Sequence, residues 1–146
     1  MIDVRLVRDR IDATDLIARL RSDDCGAVSI FVGTVRDQND GRPVAGIEYS
    51  AYEAMAVNEM REIAAEAARQ FAVERIAVVH RLGALGVGDA SIAIVSAHPH
   101  RGPAMAATGY IIEQVKRRVP IWKCELYVDG TREWIDPTRA RVEASP

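Results

Sequence analysis

Met60, Ile63, Ala64, Ala67, Ala68 and Phe71 step by three and four, the apolar stripe of a helix. On either side of this stripe the period shortens to two or dissolves into β-branched runs. Each change of period marks a change of element, so this alternation limits the fold more than any other feature. Ile2, Val4 and Leu6 alternate with Asp3 and Arg5, and Ile2–Val7 reads as a strand. Asp12 or Thr14 is placed to cap a short helix carrying Leu16, Ile17 and Leu20 on one side. Gly26 opens AVSIFVGTV, which reads as a buried strand. RDQNDGRP, residues 36–43, is polar with an Asp-Gly pair and reads as a flexible loop or hairpin tip. Residues 45–52 read as a second strand paired back on the first, and the helix stripe follows from Glu53.

Two more strands, residues 75–80 and 91–97, flank RLGALGVGD, whose three glycines permit tight turns. The loop HPHRGP leads into a third helix, about residues 104–118, with Ala106, Tyr110, Ile111 and Val115 along one side. Pro120 stops it. Residues 121–127 and 132–135 form a hairpin about Asp129-Gly130. The order β-α-β-β-α-β-β-α-β-β predicts an α+β domain, with about three helices packed on a mixed, mostly antiparallel sheet. It lacks the regular βα alternation of a doubly wound fold.

The chain of 146 residues suits one domain, with the last few residues (about eight) expected to be loose. Nineteen Lys and Arg against 21 Asp and Glu give a net charge of -2. A protein that coats nucleic acid usually carries a basic excess, so any anion bound here is expected at a focused spot. No apolar run reaches the roughly 18 residues of a membrane span, and the N-terminus has no apolar signal core. Cys25 and Cys124 are too few for a disulfide framework or a structural zinc site. The expected location is the cytoplasm.

Several chemistries are excluded by pattern. The glycines of GALGVGD do not make GxGxxG, no GxxxxGK[ST] occurs, and there is no GxSxG elbow. His98 and His100 lack nearby partners of metal-ligand spacing, and His80 reads as a strand-end core or surface histidine. What remains is cationic. Arg36, His100, Arg101, Lys116 and Lys123 all stand at the ends of elements, where a scaffold can point side chains into one cleft. His100 and Arg101 flank the free N–H groups of the third helix, a setting that favours anions. A single Arg or Lys is usually solvated surface charge. Lys123, inside the apolar Ile121-Trp122-Lys123-Cys124, is expected to be partly buried. If Lys116 and Lys123 converge, each disfavours charge on the other, and a neutral amine can serve as nucleophile or base.

The run Lys116-Arg117-Arg118 reads as charge complementing a helix C-terminus rather than as a nucleic-acid patch. Met55, Met60 and Phe71 are assigned to the helix core, and Cys124 to a small buried hydrophobe rather than a persulfide carrier. Trp122, Tyr127 and Trp134 pack the sheet, line a pocket or face a partner, and the sequence does not separate these uses.

Taken in order, FVGTVR at 31–36, YEAMA at 52–56, RLGALGVGD at 81–89, VSAHPHR at 95–101 and VKRRVPIWK at 115–123 resemble one family, the catalytic (large) subunit of molybdopterin synthase. The likeness spans about residues 3–135. It implies an α/β hammerhead-type fold and a homodimer. It also implies a small ubiquitin-like sulfur-carrier subunit at each far end, making a heterotetramer. The carrier's Gly-Gly tail ends in a thiocarboxylate and enters a pocket of the large subunit. Two sulfurs then pass to cyclic pyranopterin monophosphate, giving the molybdopterin dithiolene of molybdenum cofactor biosynthesis. The resemblance implies no metal or nucleotide cofactor in this step.

By the same resemblance Arg36 is the strand-end arginine of FxGxVR, with Thr34 and Val35 lining the substrate beside it. His100 and Arg101 are the pair before the third helix, serving their own chain's pocket or a neighbour's. Lys116 is the helix-end lysine and the stronger catalytic candidate. Lys123 is the second, with Cys124 and Glu125 beside it in the binding segment. Ile121 departs from the pattern, where many relatives carry an aromatic residue. Two rivals stand beside this reading: a non-catalytic anion-binding scaffold subunit using the same pocket, and a Schiff-base lysine enzyme.

Overall fold

A computed structural model describes residues 1–135 of the chain, so the expected loose tail lies outside the described residues. The elements are β1 (Ile2–Val7), α1 (Ala13–Leu20), β2 (Ala27–Thr34), β3 (Gln38–Asn39), β4 (Arg42–Ala51), α2 (Glu53–Phe71), β5 (Arg75–Arg81), β6 (Gly83–Gly86), β7 (Ala90–His98), α3 (Arg101–Arg118), β8 (Ile121–Tyr127) and β9 (Arg132–Ile135). This is the expected α+β class. One sheet runs β1-β5-β7-β2; the other runs β3-β4-β8-β9, with β6 also paired to β4. Among the described residues only the β1–β5 pairing is parallel.

The central strands of the first sheet are covered on both faces, which is why β5 and β7 read as continuous apolar runs. Ile76, Val78, Ile92 and Ile94 pack against Met60 and Ile63 of α2 and Ile111 and Val115 of α3. The alternate residues Ala77, Val79, Ala93 and Val95 pack against Leu16 and Leu20 of α1. Asp12 caps α1 by accepting from the Asp15 N–H at 3.0 Å. Arg118 fastens α3 to α2. It grips Glu66 with two guanidinium nitrogens at 2.7 and 2.9 Å and Glu59 with Nε at 2.8 Å.

Several expectations are corrected. AVSIFVGTV is not a buried strand: β2 is the outer strand of its sheet, and Val28, Ile30 and Val32 are 38–39% exposed. Their face is the one α1 covers, but α1 is only eight residues long and packs over β5 and β7. Nor does β4 pair back on β2. It pairs with β8 and β6 in the second sheet, while β2 pairs with β7. The loop between β5 and β7 contains the short strand β6, and α3 starts at Arg101, earlier than the apolar stripe alone indicated. Ala106 is exposed on α3, where Ala104, Ala107, Thr108, Ile111 and Val115 form the buried stripe. Met55 is 60% exposed rather than core, while Met60 is fully buried.

Candidate active site

Between the two sheets lies a cleft that three elements supply with cations. The first is the end of β2. The pairing with β7 slips between Gly33 and Thr34, a bulge that re-aims the strand end. The Val35 N–H then donates to the Asp89 carbonyl at 3.0 Å, and the Gly88 N–H donates to the Val35 carbonyl at 2.8 Å. Gly88 has φ +88°, which allows the tight turn this double clamp requires. Residue 35 is thereby pinned on both sides, and Arg36 emerges at the cleft rim, exposed. Beyond it, Asp40 (φ 51°) and Gly41 (φ 76°) close the β3–β4 hairpin, as the Asp-Gly pair indicated.

The second element is α3, which carries Lys116 to the cleft in its last turn. The third is β8. Lys123 and Glu125 lie on one face of this strand, opposite Tyr49 and Ile47 of β4. Lys123 Nζ sits 3.0 Å from Glu125 Oε1, with the lysine side chain 21% and the glutamate side chain 3% exposed. Glu125 Oε2 is buried and accepts no hydrogen bond from the protein. The carboxylate therefore keeps an unused acceptor beside the cations.

The cleft has two connected parts. One part holds about 570 Å³ of empty space including the mouth and is lined by Thr34, Arg36, Gln38, Ser91, Lys116, Lys123 and Glu125, among others. The other part is more apolar, with Ile92, Val115, Val119 and Ile121 in its walls, and His80 at one side. Tyr49, Ile92, Lys116 and Lys123 border both parts. Tyr49 and His80 meet edge to face, ring centroids 5.0 Å apart. Burial lifts the Tyr49 hydroxyl above the ordinary tyrosine range, the Ser91 hydrogen bond opposes this, and the Glu125 charge adds to it. Burial likewise pushes His80 down to about 4. The positive Lys116 works in the same direction, against the hydrogen bond to the Arg81 carbonyl.

Of the expected site residues, Thr34, Arg36, Lys116, Lys123 and Glu125 meet in this cleft. Val35 and Cys124 are buried, 3% and 0% exposed, and neither borders it. His100 and Arg101 stand elsewhere, beside Gly26 and Ala27 at the opposite end of α3. About 22 Å of helix axis separates Arg101 from Lys116. Tyr49, His80 and Ser91 were missed as cleft residues. For His80 a signal existed: it shares strand parity with Ile76 and Val78, so it faces the helices rather than α1.

Such a site suits a small anionic molecule with hydrogen-bond donors, held by Arg36 and the two lysines with Glu125 as acceptor. Among the described residues no helix is long and apolar enough to cross a membrane.

The chain matches the family model described as MoaE protein over residues 6–118. It is 43% identical over 136 residues to the molybdopterin synthase catalytic subunit of Drosophila grimshawi, an alignment covering 92% of this chain but only 38% of the fly protein. The solved structure of molybdopterin synthase from Staphylococcus aureus superposes with a TM-score of 0.84 at 32% identity, covering 89% of this chain and 94% of that one. A complex of subunits 1 and 2 of molybdopterin-converting factor from Helicobacter pylori matches with a TM-score of 0.74 at 25% identity, covering 90% and 88%.

Proposed function

The chain belongs to the MoaE protein family, and from that membership and its cationic cleft we propose that it is the catalytic subunit of a molybdopterin synthase. The reaction assigned is sulfur transfer from the C-terminal thiocarboxylate of a small carrier subunit to cyclic pyranopterin monophosphate, forming the molybdopterin dithiolene. The observation that carries this reading is the meeting of Arg36, Lys116 and Lys123 in one cleft, from three elements distant in sequence. The substrate brings a cyclic phosphate and the carrier tail brings a second anion, and these cations would hold both. The more apolar part of the cleft suits a chain end without side chains, such as Gly-Gly.

In this reading Lys116 stands next to the thiocarboxylate carbon and assists acyl transfer or proton movement. Lys123 fixes the pterin and stabilises developing negative charge. Glu125, with its unused oxygen, accepts from donors of the same substrate. The cleft walls shield the half-sulfurated intermediate from water. The described residues serve as a single catalytic domain, working in the cytoplasm as a homodimer with one carrier at each far end. His100 and Arg101 are too far along α3 to join their own chain's cleft, so we assign them to the cleft of the second copy. The Helicobacter pylori complex of two subunits supports a small partner.

The test mixes the protein with a thiocarboxylated carrier and the pterin precursor. Wild type should form the dithiolene. Lys116→Ala should lose at least about 100-fold in rate, the scale of a lost transition-state contact, while carrier docking survives. Tight docking without turnover by the wild type would favour a scaffold subunit. Borohydride trapping of a carbonyl substrate on Lys116 or Lys123 would favour a Schiff-base enzyme. Full activity of Lys116→Ala would remove that residue from the mechanism.

A further inference from the structure

His80 is a buried imidazole in the middle of the first sheet, opposite Leu6 on one side and Ile92 on the other. Its Nδ1 lies 2.9 Å from the Arg81 carbonyl oxygen. A carbonyl only accepts, so Nδ1 carries the proton and Nε2 carries the lone pair. The ring borders the more apolar part of the cleft together with Lys116 of α3, Lys123 of β8 and Tyr49 of β4. Tyr49 packs edge-on to the ring, fixing its tilt from the side of the second sheet. A histidine held by one nitrogen and wedged by an aromatic edge has few orientations left.

We infer that His80 is a positioning residue for Lys116, its Nε2 accepting a hydrogen bond from the Lys116 amine and so fixing which way that amine faces in the cleft. This rests on the reading in which Lys116 acts on the thiocarboxylate. A lysine stem has four rotatable carbons, and an unfixed amine would sample many directions. Holding one N–H on His80 leaves the rest of the amine turned toward the ligand. A proton shuttle through His80 is a poorer role, because a group titrating at about 4 holds a proton about one time in a thousand at pH 7. The imidazole is thus an acceptor and an anchor.

The test has two arms on the full chain. In the first, long-range proton–nitrogen spectra of the 15N-labelled protein should show the Nδ1–H form of His80. Lys116→Ala should then move the Nε2 resonance toward that of a free lone pair. An Nε2–H form, or an Nε2 resonance unmoved by Lys116→Ala, overturns the proposal. This arm needs no turnover and stands even if the assigned reaction fails. In the second, with thiocarboxylated carrier and pterin precursor, His80→Phe should lower kcat about 10–100-fold with little change in KM, the scale of a misplaced reacting group. His80→Gln, which can donate to Arg81 and accept from Lys116, should recover to within about five-fold of wild type. Equal impairment of the two variants, or wild-type kcat in His80→Phe, overturns it. Circular dichroism identifies a variant that fails to fold, and the first arm then decides.

Discussion

Lys123 and Glu125 stand two residues apart on one face of β8, with Nζ 3.0 Å from Oε1 and the carboxylate almost fully buried. Spacing of two is what puts them side by side, since strand side chains alternate. Glu125 is thus both an element of the cleft and a charge that Lys123 makes tolerable. Lys123→Ala should destabilise the chain by about 1–3 kcal/mol, the cost of stranding a buried acceptor. The double variant Lys123→Met, Glu125→Gln should recover most of that loss in urea unfolding, yet remain inactive in dithiolene formation. If the double variant unfolds as early as the single one, the pair is not the source of the instability.

Arg118 holds Glu66 in a two-pronged grip, and Tyr110 adds a hydroxyl donor to the same carboxylate at 2.6 Å. The Arg118 hydrogen bonds, with that of Tyr110, hold the Glu66 carboxyl down at about 2, against its ordinary 4.5. The unfolded chain takes up this proton first, so the stabilisation is complete above about 4.5 and is lost as pH falls toward about 2. Melting temperature against pH should therefore fall less steeply in Glu66→Gln than in wild type within that window. Arg118→Ala should cost about 1 kcal/mol at neutral pH, because the network is partly exposed. It should also lower activity, because the grip sits two residues from Lys116.

The separation of Arg101 from Lys116 along α3 makes complementation decisive. The exposed row Val28, Ile30 and Val32 runs along β2, whose first residue is paired with His98 beside the His100–Arg101 loop. A second copy docked on that face by a two-fold axis would bring its own loop along. Lys116→Ala and Arg101→Ala should each be inactive alone. After mixing and subunit exchange they should regain about a quarter of wild-type activity, because half the dimers are mixed and each has one intact site. No recovery after demonstrated exchange would mean that Arg101 serves no neighbouring cleft.

The elements were legible because their periods differ. Ile2–Val7 and the hairpin strands Ile121–Tyr127 and Arg132–Ile135 fall at their expected bounds, and Asp12 caps α1. Partners were less legible. Val28, Ile30 and Val32 look like core because β-branching reports strand, not what covers the strand. Met55 fits the spacing of a stripe but falls on the exposed side of α2. Strand pairing across the two sheets depends on long connections, so the placement of β4 beside β8 left no local trace. The cations of the cleft were named from a resemblance and from their positions at element ends. His80 was read as core or surface and Tyr49 was not singled out: strand parity turns His80 toward α2 and α3, but parity does not distinguish a wall of a cleft from core.

His80 sets a second acid window, separate from that of Glu66. Burial holds it at about 4 in the folded chain, against an ordinary 6.5. Above about 6.5 neither state binds the proton and the histidine contributes no pH dependence. As pH falls from 6.5 toward 4 the unfolded chain protonates while the folded chain does not, so stability declines. The shift corresponds to about 3 kcal/mol by pH 4, and the contribution levels off below. The groups facing the ring are Lys116, Lys123 and Tyr49. His80→Gln should therefore flatten the decline between pH 6.5 and 4 while leaving the lower Glu66 window intact, and Glu66→Gln should do the reverse. Urea unfolding at half-unit pH steps separates the two. A His80→Gln curve as steep as wild type across the upper window would mean that the imidazole is hydrated and charged in the fold, and could not serve as the acceptor that holds Lys116.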